Sequence, residues 1–123
     1  MPLHSASRLA SRLATVFDFV SALARRSLSS RVGYRGTVHV VTAAPGVYTI
    51  VHQRRGLCGA QSSADRIAQL RVVADQDDSY QLFFKKGNGR WTAYCADNDQ
   101  PFIAPLGECL GEIARDPAGC YWS

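Results

Sequence analysis

Four cysteines (58, 95, 109 and 120) and three histidines supply the nucleophile and soft-ligand residue types in this chain. A thiolate beside an imidazole can act as an activated nucleophile. His39 or His52 with Cys58 or Cys95 provides the residue types for such a pair. Their spacing selects none of these combinations, because both histidines fall among β-branched residues, where a surface or hydrogen-bonded imidazole is ordinary. A zinc site brings ligand pairs two to four residues apart, and a redox thiol motif brings C-x-x-C; neither spacing occurs. Asp75, Asp77 and Asp78 offer carboxylates to a cation, but no Glu follows at calcium-loop spacing, so an acidic, solvated turn is expected there. Cysteine is among the most buried residue types, so these four are expected as small hydrophobes. The residues predict no catalytic group, no cofactor and no metal.

Charge gives a different lead. Residues 1–36 carry six arginines (Arg8, Arg12, Arg25, Arg26, Arg31 and Arg35) against one acid, Asp18, for +5. Residues 37–123 carry eight basic and nine acidic residues, for −1. The basic character therefore belongs to the N-terminal segment. Those six arginines are a candidate contact for nucleic-acid phosphates, and Phe83, Trp91 and Tyr94 could stack bases from a sheet surface. Against this, the remaining chain is slightly acidic and its aromatics suit a core. Weak nucleic-acid binding is the alternative reading.

The elements that must position these residues follow from periodicity. Apolar residues at Leu9, Leu13, Val16, Val20 and Leu23 form one stripe of an amphipathic helix, widened by Phe17 and Ala24. Ser5 or Ser7 can cap its start, Arg25 and Arg26 suit its negative pole, and Ser29, Ser30 and Gly33 break the pattern. This predicts a helix from about Ser7 to Leu28 within a basic amphipathic segment of residues 1–30. Phe19 lies off the stripe. With Leu23 and Trp91 it is a candidate partner surface, and the helix is a candidate homodimer seam.

Strands follow at 37–42 and 47–54 around Pro45-Gly46, and at 66–74. The segment 80–95, YQLFFKKGNGRWTAYC, places two aromatic-rich runs around Asn88-Gly89, the preferred pair for a two-residue hairpin loop. That loop predicts Phe84 opposite Ala93, Phe83 opposite Tyr94, and Leu82 opposite Cys95. Leu82, Phe84, Ala93 and Cys95 would then share one face, with Phe83 and Tyr94 on the other. After a proline-bearing loop (96–105), Leu106, Leu110 and Ile113 mark a short second helix weakened by Gly107 and Gly111. No crossover helix separates any two strands, so the sheet should be antiparallel. The fold class is α+β: about five antiparallel strands in hairpin order, with the N-terminal helix and the short C-terminal helix packed on one face. One domain over 1–123 is expected, with the sheet at 36–96, the second helix at 105–116 and an aromatic tail at 117–123.

The order QLR…YQLFF…GNGRW…Y…LGECLGEIARDPAGCYWS resembles the bacterial domain-of-unknown-function family numbered 3024 over residues 66–123, and the first half only loosely. The matching positions are Leu70, Arg71, Leu82, Gly89, Arg90, Trp91, Tyr94, Leu110, Ile113, Asp116, Pro117, Gly119, Cys120 and Trp122. Ser123 departs from the glycine such members carry, and Tyr121 supplies an aromatic where one is expected. The resemblance implies a compact α+β domain and no activity, hence no catalytic residues. Physically, Asp116-Pro117 stops the helix and Gly119 permits a reversal. Tyr121 and Trp122 can then bury about 150–250 Å² each, so the tail should lock onto the sheet.

No apolar run approaches the roughly 18 residues of a membrane span, and Arg12 and Asp18 interrupt any secretory core. A cytoplasmic protein is expected, with an organelle transit peptide in residues 1–30 as the other reading. The sequence thus points to a small non-catalytic binding or interaction module of uncharacterised function.

Overall fold

The computed structural model describes residues 2–32, 36–54, 56, 63–96 and 99–122, with side chains from residue 15 onward. Helix α1 spans Pro2–Val32, and α2 spans Leu106–Arg115. Strands β1 (Gly36–Ala44), β2 (Val47–Arg54), β3 (Ser63–Val72), β4 (Tyr80–Lys85) and β5 (Trp91–Ala93) form an antiparallel sheet in the order β1-β2-β3-β4-β5. A sixth strand, β6 (Ile103–Ala104), pairs with β4.

The first helix runs past its expected end at Leu28. Val20, Ala24, Leu28 and Val32 form a buried row four residues apart, so the packing face continues through the serines. Ser29 stays helical by donating its hydroxyl to the Arg26 carbonyl at 3.1 Å. Leu23 is half-buried against this core, and Phe17 stacks toward Tyr48 at 6.5 Å. The side chains of Ser5, Ser7, Leu9 and Leu13, and residue Gly33, lie outside the described residues.

The inner face of the sheet carries Val38 and Val40 of β1, Tyr48 and Ile50 of β2, Ala68 and Leu70 of β3, and Leu82 of β4. These are register partners across neighbouring strands, as in Val40–Ile50, Ile50–Ala68 and Leu70–Leu82. Ile67 is the extra residue of a bulge opposite Ile50 and Val51, which lets it join the core beside Ala68. Helix α2 adds Leu106, Cys109, Leu110 and Ile113. On the outer face Arg71 lies over the Phe83 ring at 3.8 Å and donates to Gln69, which donates to Thr49.

Two expectations need correction. The β4–β5 loop has three residues, not two: Lys86 and Arg90 close it, and Gly89 donates to the Lys86 carbonyl at 2.8 Å. Gly89 alone takes the left-handed conformation (φ 82°), while the Asn88 side chain accepts from Arg90 N–H. The register moves by one, pairing Phe83 with Ala93 and Phe84 with Thr92. A one-residue slip exchanges the faces, so Tyr94 joins Leu82 and Phe84 inside, and Ala93 faces out with Phe83. The second correction is β6. The loop expected over 96–105 returns to β4, with Leu82 N–H bonded to Phe102 O and Tyr94 N–H to Leu82 O. β5 and β6 therefore share one edge of β4 end to end.

The tail is folded against this frame. Asp116 ends α2 in the left-handed region (φ 48°), and its carboxylate accepts from the N–H groups of Cys120, Tyr121 and Trp122 at 2.9–3.3 Å. Gly119, at φ 70°, makes the reversal. Tyr121 is buried beside Tyr94, and Trp122 donates its indole N–H to the Ile113 carbonyl at 2.8 Å. Replacing Asp116 by Ala removes the shared acceptor and should cost about 1–3 kcal/mol in urea unfolding. Asp116→Asn, which keeps an acceptor and tolerates positive φ, should cost less. Equal losses for the two variants would refute this account. The Tyr121 hydroxyl is buried without a hydrogen-bond partner among the described residues. Tyr121→Phe should therefore leave the melting temperature unchanged or raise it, and a clear drop would show a missed partner.

Candidate binding cleft between the first helix and the sheet edge

The sequence holds the residue types for a histidine–cysteine pair but no spacing that selects one, and the sheet separates the described candidates. His39 sits on β1 and pairs with Val51, while His52 on β2 pairs with Val38. The two imidazoles therefore project to opposite faces. Cys95 follows β5, at the far side of the sheet: four strand spacings of about 4.8 Å from His39 and three from His52. Cys58 lies outside the described residues. Among the described residues no group of three or more His, Cys, Asp or Glu side chains could hold a metal ion. Asp75, Asp77 and Asp78 are exposed in the turn between β3 and β4.

The remaining thiols are packed groups. Cys109 is fully buried, and burial pushes its thiol up to about 12. Burial, then the nearby Asp116 carboxylate, pushes Cys120 up to about 11. Tyr94 donates to the buried Glu112 carboxylate at 2.7 Å, and Arg115 pairs with the same group at 2.9 Å. Burial, then the Glu112 contact, raises the Tyr94 phenol far above its ordinary range. These groups hold α2 to the sheet.

The candidate arginines divide. Arg31 donates from Nε to the Ala114 carbonyl at 2.7 Å and from a terminal nitrogen to the Arg115 carbonyl at 3.2 Å. It thus satisfies the exposed carbonyls at the negative pole of α2, and its guanidinium lies 5.9 Å from the Trp122 ring centre. Arg25 and Arg26 are exposed, and neither guanidinium has a hydrogen-bond or ion-pair partner among the described residues. Arg35 and the side chains of Arg8 and Arg12 lie outside the described residues. Of the partner-surface candidates, Phe19 is 58% exposed on α1, Leu23 packs toward the core, and Trp91 is half-buried on the outer face of β5. Phe19 sits on α1, which packs on β1 at one end of the strand order, and Trp91 on β5 at the other.

What the fold does build is an open cleft of about 430 Å³ where α1 passes the free edge of β1. Arg25, Ser29 and Val32 of α1 line one side and residues 36–39 of β1 the other; along the strand Val38 turns inward, and Thr37 and His39 turn to the outer face. Among the described residues no carboxylate lines it. Such a site attracts an anionic or hydrogen-bond-accepting group. From sequence, Ser29 reads only as a break in the helix, and Thr37 only as the start of a strand. The available signal was Arg25 and Ser29 at i and i+4 on one helix flank, followed by a first strand that hairpin order leaves at the sheet edge.

The family model for the domain of unknown function DUF3024 matches residues 13–123. The chain belongs to this family. The match reaches back from the C-terminal motif through all the strands and into α1. No curated protein matches the chain, and no solved structure does. Several positions that carried the resemblance are structural in this DUF3024 chain. Asp116, Gly119 and Trp122 shape the tail, Gly89 the hairpin loop, and Leu82 and Ile113 the core.

His52 gives this account a pH signature. Its Nε2 is buried without a partner among the described residues, and its ring meets Trp122 edge-on at 5.5 Å. Burial, then the charge of Arg54, lowers its pKa below the ordinary 6.5, with Asp65 opposing weakly. The folded state therefore prefers the neutral ring. Stability is complete above about pH 6.5 and falls as pH drops through that value toward the folded-state pKa. Urea midpoints measured between about pH 5 and pH 8 should show this decline, and His52→Gln should flatten it. A rise in stability below pH 6.5 would reverse the assignment.

Proposed function

We propose that this protein is a small, single-domain, cytoplasmic binding module that acts without catalysis, and that the cleft beside β1 is its contact site. The observation that carries this reading is the cleft's lining. Arg25 and Ser29 stand across from residues 36–39 of β1, and among the described residues no carboxylate lines the cavity, while Cys109 and Cys120 are held as poorly ionised thiols. The nucleic-acid reading keeps Arg25 and Arg26 but loses Arg31 to α2. A copy-to-copy seam on α1 has one observation in its favour, the exposure of Phe19.

Native mass spectrometry at low salt, paired with iodoacetamide labelling near pH 7, separates these readings. The expected result is a bound mass that Arg25→Glu strips away, with Cys109 and Cys120 labelling slowly. A nucleic-acid adduct would favour the basic-helix alternative, and a dimer that Phe19→Ser dissociates would favour the seam. Fast, selective labelling of one cysteine would overturn the non-catalytic reading, because it reveals an activated thiolate.

A further inference from the structure

Strand β1 is the terminal strand of the sheet, and among the described residues no strand pairs with its outer edge. An antiparallel strand with one neighbour turns the N–H and C=O groups of every second residue away from that neighbour. Edges of this kind are commonly blunted by lysine, proline or an inward charge. The nine residues of β1, GTVHVVTAA, contain none of these. Thr37 and the stretch from Val41 to Ala44 are exposed, Val41 at 46%. Residues Gly36 to Thr42 pair in unbroken register with β2, ahead of an irregularity between Thr42 and Ala44, so this stretch offers a regular outer edge.

The cleft occupies this edge. Its far wall is α1, whose Arg25 and Ser29 line it together with residues 36–39 of β1. The unpaired backbone and the donor-rich wall therefore face the same space. Resting on the binding-module reading, we propose that the cleft accepts an extended acidic peptide segment, which adds to the sheet as a new strand beside β1. Backbone hydrogen bonds to β1 supply the pairing. Alternate side chains of the added strand fall toward α1, where an Asp or Glu meets Arg25 and is reinforced by Arg26 one residue on.

Charge decides the class of occupant. A second copy pairing through β1 brings its own Arg25 and Arg26 along the same edge, so like charges meet. Nucleic acid answers the charge but leaves the β1 backbone groups without partners. An acidic strand answers both. The only acid of the segment before β1, Asp18, lies two turns earlier on α1 and outside the cleft lining. The negative residue of the ligand is therefore placed at the Gly36–His39 end of β1.

The test uses the full chain and a ten-residue peptide with Glu at alternate positions and Val or Thr between, followed by backbone amide NMR and hydrogen exchange. The expected result is shifts at Arg25, Ser29 and residues 37–41, slowed exchange at the outward amides of β1, and loss of binding when the peptide's pairing amides are N-methylated. Arg25→Glu should weaken binding several-fold while leaving the melting temperature unchanged, since Arg25 is exposed and unpaired. Equal binding of the N-methylated peptide at the same residues would overturn strand addition yet leave the cleft a binding site. No shift at these residues would overturn the peptide proposal, and the mass adduct then judges the broader reading on its own. A ten-nucleotide oligothymidylate that shifts the same amides more strongly would replace the peptide with nucleic acid.

Discussion

One carboxylate holds the two ends of this fold together. Asp116 stops α2 in a left-handed turn and gathers the N–H groups of three successive tail residues. That gathering sets the direction of the chain after Gly119, and the direction delivers Trp122 to its position. Its indole then bonds the Ile113 carbonyl, meets His52 of β2 edge-on, and lies beneath the Arg31 guanidinium of α1. Arg31 in turn occupies the last carbonyls of α2. Both helices and a central strand are thus joined through a side chain whose placement begins at Asp116. Charge-assisted bonds to backbone N–H groups are among the stronger hydrogen bonds available to a protein, which suits a carboxylate to the task.

The sequence shows much of the architecture, and where it fails the reason is local. The 4,3-spaced apolar residues mark α1, the β-branched runs mark β1 and β2, and hairpin order follows from the missing crossover helices. Asn88-Gly89 announces a turn but not its length. A two-residue and a three-residue loop both use a glycine at positive φ, and the difference of one residue exchanges the faces of Ala93 and Tyr94. Periodicity cannot see β6, because two residues carry no period. The serines at 29 and 30 suggest an ending only when propensity is weighed without Val32, whose burial continues the helix.

The candidate site was legible as residues and not as a place. Arg25 and His39 stand out in the sequence for separate reasons, one as charge and one as a possible base. Their shared cleft depends on which flank of α1 passes which edge of the sheet. A count of six N-terminal arginines likewise treats Arg25 and Arg31 alike. In the structure one is free in the cleft wall, and the other is committed to the end of α2. A charge total therefore overstates what the helix can offer a partner.

The bond between Arg31 and Ala114 spans 83 positions of the chain. During synthesis at about 5–20 residues per second, α1 emerges from the ribosome seconds before the carbonyls that anchor its end. Through that interval the apolar row from Val20 to Val32 has no second helix to lie against. α1 packs on β1, which follows it directly, and its contact with α2 comes later. Until residues 106–115 have been made, Arg31 has no α2 carbonyl to bind, so the far end of α1 is the part of this helix whose anchoring waits longest on synthesis.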